Sequence, residues 1–218
     1  MATRSTGSSV SESLHRFAPA ERLVHRLVAM LMGVCLVTAA ILYNGSLMLA
    51  VGHRHLVETL HVWSGLALPV PMLAGALSAA YRSDVRRLNR FTPADWQWLR
   101  SKDRRQGRIP VGKFNAGQKV NAWLVAGSTG VLLGTGAVMY WTGLVRLSWR
   151  AGATFVHDWS ALGLGLLVIG HIGYAARDPE ARRGMRTGRV ARHWARAEHG
   201  AWAEELDERG PSGFEARS

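Results

Sequence analysis

Residues 155–176 read FVHDWSALGLGLLVIGHIGYAA, an apolar stretch that contains two histidines, His157 and His171. In an α-helix their separation of fourteen residues, at ~1.5 Å rise per residue, spans roughly 21 Å, most of the hydrocarbon thickness of a bilayer. At about 100° per residue the two imidazoles differ by only about 40° around the helix axis. The stretch therefore predicts one helix with two metal ligands on nearly the same face, one near each membrane surface. This arrangement suits electron transfer across a membrane.

Three further segments are as long and apolar as this one, and each is long enough to cross ~30 Å as a helix. The four segments are Leu23–Tyr43, Leu56–Tyr81, Val120–Val145 and Phe155–Ala176. Their high Gly and Ala content is ordinary for packed membrane helices. The sequence predicts an all-α, integral membrane four-helix bundle.

Positive charge is segregated along the chain, which has 27 Lys and Arg residues and a net charge of +12. All but Arg54, Arg146 and Arg150 lie before or at the start of the first span, between residues 82 and 119, or after residue 176. Positive residues mark the cytoplasmic side, so both termini and the middle loop are predicted inside. Topology thus explains a charge that would otherwise suggest nucleic acid binding.

The predicted organisation has three parts. Residues 1–20 form a flexible cytoplasmic N-terminus, residues 21–178 the transmembrane domain with a cytoplasmic loop at 82–119, and residues 179–218 a cytoplasmic tail. In the loop, Thr92 and Pro93 have the pattern of a helix start, and the tryptophans Trp96 and Trp98 follow at the membrane interface. In the tail, Trp194 and Trp202 are the predicted docking points.

Four histidines lie within the spans. An ionisable side chain there is a functional hypothesis by default, although a single histidine could equally make a hydrogen bond between helices. The predicted directions of the helices sort them by depth into two pairs: His25 with His171 near the inner face, and His61 with His157 near the outer face.

Two imidazoles per level favour haem over other metal sites. A structural zinc usually needs four protein ligands, and copper or iron sites with open positions normally recruit a carboxylate or a thiolate as well. Haem supplies four nitrogens and needs only two axial ligands. The sequence therefore predicts two b-type haems, held without covalent attachment because there is no C-x-x-C-H motif. The single cysteine, Cys35, permits neither an internal disulfide nor a cluster held by this chain alone.

The run GKFNAGQK at residues 112–119 lies where the middle loop enters the third span. Asn115 and Gln118 are three residues apart, so their amides can converge, and Gly117 permits close approach of a flat ligand. A polar pocket here would lie near His171, where a quinone head group could accept electrons. The alternative for the same residues is a helix N-terminal cap.

Together these residues resemble the gamma subunit (cytochrome b556 subunit) of respiratory formate dehydrogenases. The resemblance rests on KFNAGQK at 113–119, RLVHR at 22–26, HVWSG at 61–65, the spacing of His157 and His171, and GMRTGRVARHWA at 184–195. It covers roughly residues 15–205. It departs from the family at Asp158-Trp159-Ser160 and at both ends of the chain.

The resemblance implies a diheme membrane cytochrome b in a bacterial inner membrane. It implies that His61 and His157 ligate the outer haem, that His25 and His171 ligate the inner haem, and that Asn115, Gly117, Gln118 and His171 line a quinone pocket. The partners it implies are an iron–sulfur beta subunit and, through it, the catalytic alpha subunit, so this chain would transfer electrons without acting on formate. Two alternatives stay open: the cytochrome b subunit of another quinone-linked oxidoreductase, such as a hydrogenase or thiosulfate reductase, and a haem-free membrane anchor.

Overall fold

A computed structural model describes residues 13–102, 104, 108–143 and 145–209, and these residues are mostly helical. In chain order the elements are β1 (Ser13–His15), α1 (Pro19–Tyr43), α2 (Gly45–Val51), α3 (Arg54–Ala67), α4 (Pro69–Gly75), α5 (Ala79–Leu88), α6 (Pro93–Arg100), α7 (Ala116–Tyr140), α8 (Leu147–Ala176), α9 (Pro179–Thr187), β2 (Arg189–Ala191), α10 (Arg192–Glu198) and α11 (Gly200–Arg209).

Four helical units are long and apolar enough to cross a membrane: α1, α3 with α4, α7 and α8, of 25, 22, 25 and 30 residues. The prediction of an all-α membrane bundle with four spans is confirmed. Both α7 and α8 begin before the predicted apolar segments, at Ala116 and Leu147. For α7 the start is set by the capping residue Asn115 and not by hydrophobicity. The second span is shorter than predicted and ends at Gly75.

The second span is also broken where its prolines predict a bend. Proline has no N–H group to donate, so the regular helix is interrupted before it. Here α3 ends at Ala67, the Leu68 N–H donates to the Gly65 carbonyl at 3.1 Å, and α4 starts at Pro69.

The spans form two helical hairpins. α1 packs against α3 and α4, α7 packs against α8, and the two hairpins meet chiefly through contacts of α8 with α1 and of α7 with α3. Between them lies a small buried apolar layer centred on Met32, Leu68 and Leu164. Most other apolar side chains of the spans point outward, as lipid-facing residues do.

Apart from the short helix α2 that follows the first span, the remaining elements gather at one end of the bundle, in a region that we call the polar end: the described residues of 13–18, 79–115 and 177–209. β1 pairs antiparallel with β2, so that Ser13 lies opposite Ala191. The N-terminus was predicted to be flexible through residue 20, which is wrong for residues 13–20. Pairing with β2 satisfies the backbone of β1 and buries Leu14 against Val190, and α1 begins at Pro19. Residues 1–12 and 210–218 lie outside the described residues.

The predicted helix in the middle loop is present as α6. Thr92 donates from both its backbone N–H (2.7 Å) and its hydroxyl (2.8 Å) to the Asp95 carboxylate. Trp98 is buried and Trp96 is exposed. The side chain of Trp202 in the tail is buried, and Trp194 packs against the same cluster, so both tryptophans dock as predicted.

One arginine connects the three parts of the polar end. The Arg16 guanidinium donates to the Lys113 carbonyl at 2.9 Å and lies 2.9 Å from Nε2 of His199. The central guanidinium carbon, Cζ, lies 4.7 Å from the ring centre of Trp194 and 5.7 Å from that of Trp202. Such cation–π contacts are strongest where the cation is removed from water, as this one is.

His199 is buried in this cluster, with Nδ1 2.7 Å from the Gly112 carbonyl. That carbonyl can only accept, so Nδ1 carries the proton and Nε2 accepts from Arg16. Burial, reinforced by the Arg16 charge, lowers the pKa of His199 well below its ordinary value.

We predict that the polar end loosens on mild acidification. The unfolded His199 takes up a proton near pH 6.5, whereas the folded one does so only at lower pH, so its contribution is full above about pH 6.5 and is lost as the pH falls below it. The loss should reach at most ~1.4 kcal/mol per pH unit. Hydrogen exchange of α10 and α11 amides at pH 7.5 and 5.5, corrected for intrinsic rates, measures it.

The variant His199→Gln, which keeps a neutral donor and acceptor, is the control and should remove this part of the pH response. The comparison is needed because burial, reinforced by Glu21, raises the pKa of Asp84 to about 7. A raised carboxyl pKa acts in the opposite sense: its contribution is full at low pH and is lost as the pH rises through 7. Equal pH responses in the variant and the wild type would contradict the prediction for His199.

Candidate functional site

The four histidines of the spans meet in two pairs, and the pairs are those predicted from depth. The ring centres of His25 and His171 are 6.3 Å apart, and those of His61 and His157 are 6.2 Å apart. In each pair one imidazole comes from α8 and the other from the first hairpin, from α1 or α3. Among the described residues there is no group of three or more His, Cys, Asp or Glu side chains that could hold a metal ion. Each histidine pair therefore has no third protein ligand beside it in this part of the chain.

These separations fit a metal held between two imidazoles. Metal–nitrogen bonds to histidine are about 2.0 Å long. A five-membered ring with bonds of about 1.33 Å places its centre about 1.1 Å behind the nitrogen. Two opposed imidazoles on one metal ion would therefore have ring centres about 6.3 Å apart. Two axial histidines are also all that a haem requires of a protein.

The two pairs lie at different depths along α8, with the buried apolar layer midway between them. Leu164 is seven residues from both His157 and His171, Met32 is seven residues after His25, and Leu68 is seven residues after His61. Seven residues are two helical turns, so each layer residue lies on the face of its histidine and about 10 Å away along the axis. Leu164 is 1% exposed.

Two threonines that sequence reasoning missed contact the outer pair. The hydroxyl of Thr38 in α1 lies 2.9 Å from Nδ1 of His61, and that of Thr135 in α7 lies 2.9 Å from Nδ1 of His157. The signal available in the sequence was a polar residue within an apolar span. Only the helix packing reveals which histidine each threonine faces.

Two small residues lie beside the outer histidines, Gly136 against the His157 ring and Cys35 near the His61 backbone. A Cβ added at Gly136 would lie 3.3 Å from Cε1 of His157, closer than ordinary van der Waals contact. Cys35 lies beside the other histidine, with Sγ 3.8 Å from the His61 carbonyl oxygen. Cys35 thus fills space within the bundle, as a small apolar residue does.

The Asn115–Gln118 pair forms a helix cap, which is the structural alternative left open above. The Asn115 side-chain oxygen accepts from the Gln118 backbone N–H at 2.9 Å, and the Gln118 side-chain oxygen accepts from the Asn115 N–H at 3.0 Å. This reciprocal capping box starts α7. Both side-chain oxygens are therefore used by the backbone, and the two amide NH₂ groups are the donors that a ligand could use.

The sequence predicts a flat ligand against Gly117, whereas the close neighbour in the structure is the side chain of Trp98. A Cβ at this position would lie 3.0 Å and 3.2 Å from two ring carbons of Trp98. The flat group against Gly117 is thus an indole from α6. The absence of a side chain allows the buried Trp98 to pack against the first turn of α7.

The two lysines of the same motif make ion pairs. Lys113 Nζ lies 2.6 Å from both carboxylate oxygens of Asp84 and 3.5 Å from Glu21, and Lys119 Nζ lies 2.7 Å from Asp95. Glu21 is one helical turn before His25, so the motif stands about one turn from the depth of the inner imidazole pair. The structure thus brings the motif and the inner pair to the same end of the bundle.

Comparison with known proteins identifies the family of this chain. A family described as prokaryotic cytochrome b561 matches residues 16–188. This chain belongs to that family, and membership implies haem b. The match begins at Arg16 and ends at Gly188, so it contains all four spans and all four paired histidines.

Individual relatives match a shorter stretch. The chain is 29% identical over 100 residues to the cytochrome b556(Fdn) subunit of nitrate-inducible formate dehydrogenase from Escherichia coli K12, and equally to that of Shigella flexneri. The matched stretch covers 44% of this chain and 46% of each relative. It therefore spans about half the length of the relatives.

We predict that Gly117→Ala destabilises the contact between α6 and α7. The added methyl group would press on the Trp98 ring, and overpacking of this kind typically costs about 1–3 kcal/mol. Thermal unfolding should begin at a lower temperature, and protease cleavage within the loop that contains α6 should become faster.

Gly112→Ala is the matched control, because a Cβ at Gly112 meets nothing within 4 Å. It should behave as the wild type does. If both variants are equally stable, the contact of Gly117 with Trp98 is not a constraint on the fold.

Proposed function

We propose that this chain is the diheme membrane subunit of a formate dehydrogenase complex, in which it passes electrons from an iron–sulfur subunit at the outer face to quinone at the inner face. The observation that carries the proposal is the occurrence of two imidazole pairs, each spaced to hold one metal ion, at two depths along α8. His61 and His157 would hold the outer haem, and His25 and His171 the inner haem. A haem with two histidine ligands supplies one-electron chemistry without an open coordination position.

The orientation in a bacterial inner membrane follows from charge. The polar end contains most of the Arg and Lys residues, whereas the opposite loops contain only Arg54, Arg146 and Arg150. By the positive-inside rule the polar end faces the cytoplasm, and the termini lie there too. The pair His25–His171 is then the inner one, and electrons would cross ~20 Å from the other pair.

The amide groups at the start of α7 are the proposed quinone site. A quinone carbonyl is a hydrogen-bond acceptor, and Asn115 and Gln118 offer NH₂ donors because their oxygens cap the helix. Lys113 of this motif makes an ion pair with Glu21, which lies one helical turn before His25. His171 and Gly117 complete the proposed pocket, Gly117 through its contact with Trp98.

The partners follow from the likeness to a formate dehydrogenase subunit. Electrons would come from an iron–sulfur beta subunit docked at the outer face, and oxidation of formate would take place on the alpha subunit beyond it. Proton uptake by reduced quinone from the cytoplasm would then add to the membrane gradient. Another quinone-linked complex, such as a hydrogenase or a thiosulfate reductase, is the alternative because the family is broader than formate dehydrogenase.

We predict that His171→Leu abolishes quinone reduction and leaves the outer haem reducible by formate. The variant lacks one inner ligand and retains both ligands of the outer pair. The measurement is a pyridine haemochrome assay with formate-reduced spectra of the purified complex, in which the haem content should fall from two per chain to one.

His193→Gln is the control, because His193 is an exposed histidine in α10, and it should retain both haems and full turnover. If the His171→Leu variant still reduces quinone with formate, the assignment of His25 and His171 to the inner haem is wrong. Two haems that hydrogen reduces and formate does not would instead assign the chain to a hydrogenase.

We predict that Asn115→Asp and Gln118→Glu separate the cap from the quinone site. Both substitutions keep the oxygen that caps α7 and remove the NH₂ donor, and an acidic side chain is favourable at a helix N-terminus. Haem content and thermal stability should stay unchanged. The KM for a water-soluble quinone should rise about tenfold, since a lost hydrogen bond of about 1.4 kcal/mol has that effect.

Wild-type kinetics in both variants would show that these amides only cap the helix. A fall in thermal stability together with loss of haem would also count against the proposal, because it would assign the residues a structural role alone.

A further inference from the structure

Each helical hairpin places one threonine against one histidine of the outer pair. Thr38 of α1 contacts His61 of α3, and Thr135 of α7 contacts His157 of α8, both at 2.9 Å from Nδ1. The two contacts thus repeat the same arrangement in two hairpins. Both threonines are inside membrane-spanning helices, where an unpaired hydroxyl would be costly.

The bonds of the hydroxyls define which atom donates. The Thr38 hydroxyl lies 2.7 Å from the Val34 carbonyl, and the Thr135 hydroxyl lies 2.7 Å from the Val131 carbonyl. A hydroxyl has one hydrogen, and a carbonyl can only accept, so this hydrogen goes to the backbone. The hydroxyl oxygen then accepts from the N–H group at Nδ1 of the histidine.

This assignment determines the tautomer of both outer histidines. With the proton on Nδ1, Nε2 has the free lone pair that a metal requires. A hydrogen bond to the second ring nitrogen also orients the imidazole and makes it a more basic ligand. His61 and His157 are therefore prepared for ligation before a metal group binds.

The inner pair lacks this arrangement. Within the part of the chain that the structure describes, no side-chain or backbone group makes a hydrogen bond with a ring nitrogen of His25 or His171. The two levels thus differ in the surroundings of their ligands, although the ring separations are nearly equal, 6.3 Å and 6.2 Å.

We propose that Thr38 and Thr135 are positioning residues that hold the outer imidazoles and make the outer haem more reducing than the inner one. A more basic ligand stabilises the higher oxidation state of the iron, which lowers the reduction potential at that level. Electrons that enter at the outer face would then move to the inner level with a favourable difference in potential. This inference rests on the proposed function, because it requires a haem at both levels.

The test compares six variants of the purified complex: the single variants Thr38→Val, Thr135→Val, Thr38→Ser, Thr135→Ser and Thr129→Val, and the double variant Thr38→Val with Thr135→Val. Valine has the shape of threonine without the hydroxyl, and serine restores the hydroxyl without the methyl group. Thr129 is the matched control, because it lies on α7 and its hydroxyl donates to the Val125 carbonyl at 2.7 Å as Thr135 does to its own carbonyl, without a histidine contact. The measurements are an optical redox titration and the electron paramagnetic resonance signals of the oxidised haems.

Each histidine-contacting valine variant should shift the potential of one haem upward, change that haem's resonance signal and leave the other haem unchanged. The double variant Thr38→Val with Thr135→Val should bring the two potentials closer together. Both serine variants and Thr129→Val should titrate as the wild type does. Loss of one haem in a valine variant, with retention in its serine counterpart, would also support the proposal.

If the wild type has two haems and neither haem potential changes in Thr38→Val or in Thr135→Val, the proposed role of the threonines is wrong and the proposed function stays intact. Equal shifts in Thr129→Val and Thr135→Val would overturn it too, because they would reflect a general effect on α7. A wild-type protein with fewer than two haems would instead remove the proposed function and this inference with it.

Discussion

Two imidazoles facing each other across the interface between two helical hairpins, at two depths, form the interaction on which the rest of the structure depends. Each pair joins α8 to a helix of the first hairpin, with ring centres 6.2 Å or 6.3 Å apart. To serve both pairs, α8 must continue without a break between its histidines, and its 30 residues do so. The buried layer of Met32, Leu68 and Leu164 then sets the apolar separation between the two levels.

The polar end has a separate structural role, since it joins the N-terminal strand, the middle loop and the tail at one end of the bundle. Arg16 connects the N-terminal strand to the loop and to the tail, and its buried guanidinium contacts aromatic rings, the Lys113 carbonyl and His199. The motif at residues 113–119 belongs to this region as much as to any ligand site: its lysines are paired with Asp84 and Asp95, and Gly117 supports Trp98. One short motif therefore combines a structural function with the proposed quinone site.

Membership of the cytochrome b561 family and the geometry of the imidazole pairs point to the same chemistry from independent observations. The family implies haem b, and the ring separations match the distance expected for two imidazoles on one metal ion. The difference between the two levels is a property of this chain's own residues. Among the described residues, threonine oxygens accept from the imidazoles of His61 and His157 and not from those of His25 and His171, so the two chemically similar pairs are placed in different electrostatic surroundings.

The sequence by itself determined the four spans, the bend at Pro69 and the α6 helix, because these depend on length, hydropathy and helical periodicity, which are local. It also determined the pairing of the histidines, because the segregation of positive charge gives the direction of each span and therefore the depth of each histidine. Only the tertiary structure decided that residues 13–15 form a strand, that Trp98 packs on Gly117 and that the threonines face the outer histidines. Each of these contacts joins residues far apart in the chain or on different helices, and their partners depend on how the helices rotate and pack. No periodicity within one segment contains that information.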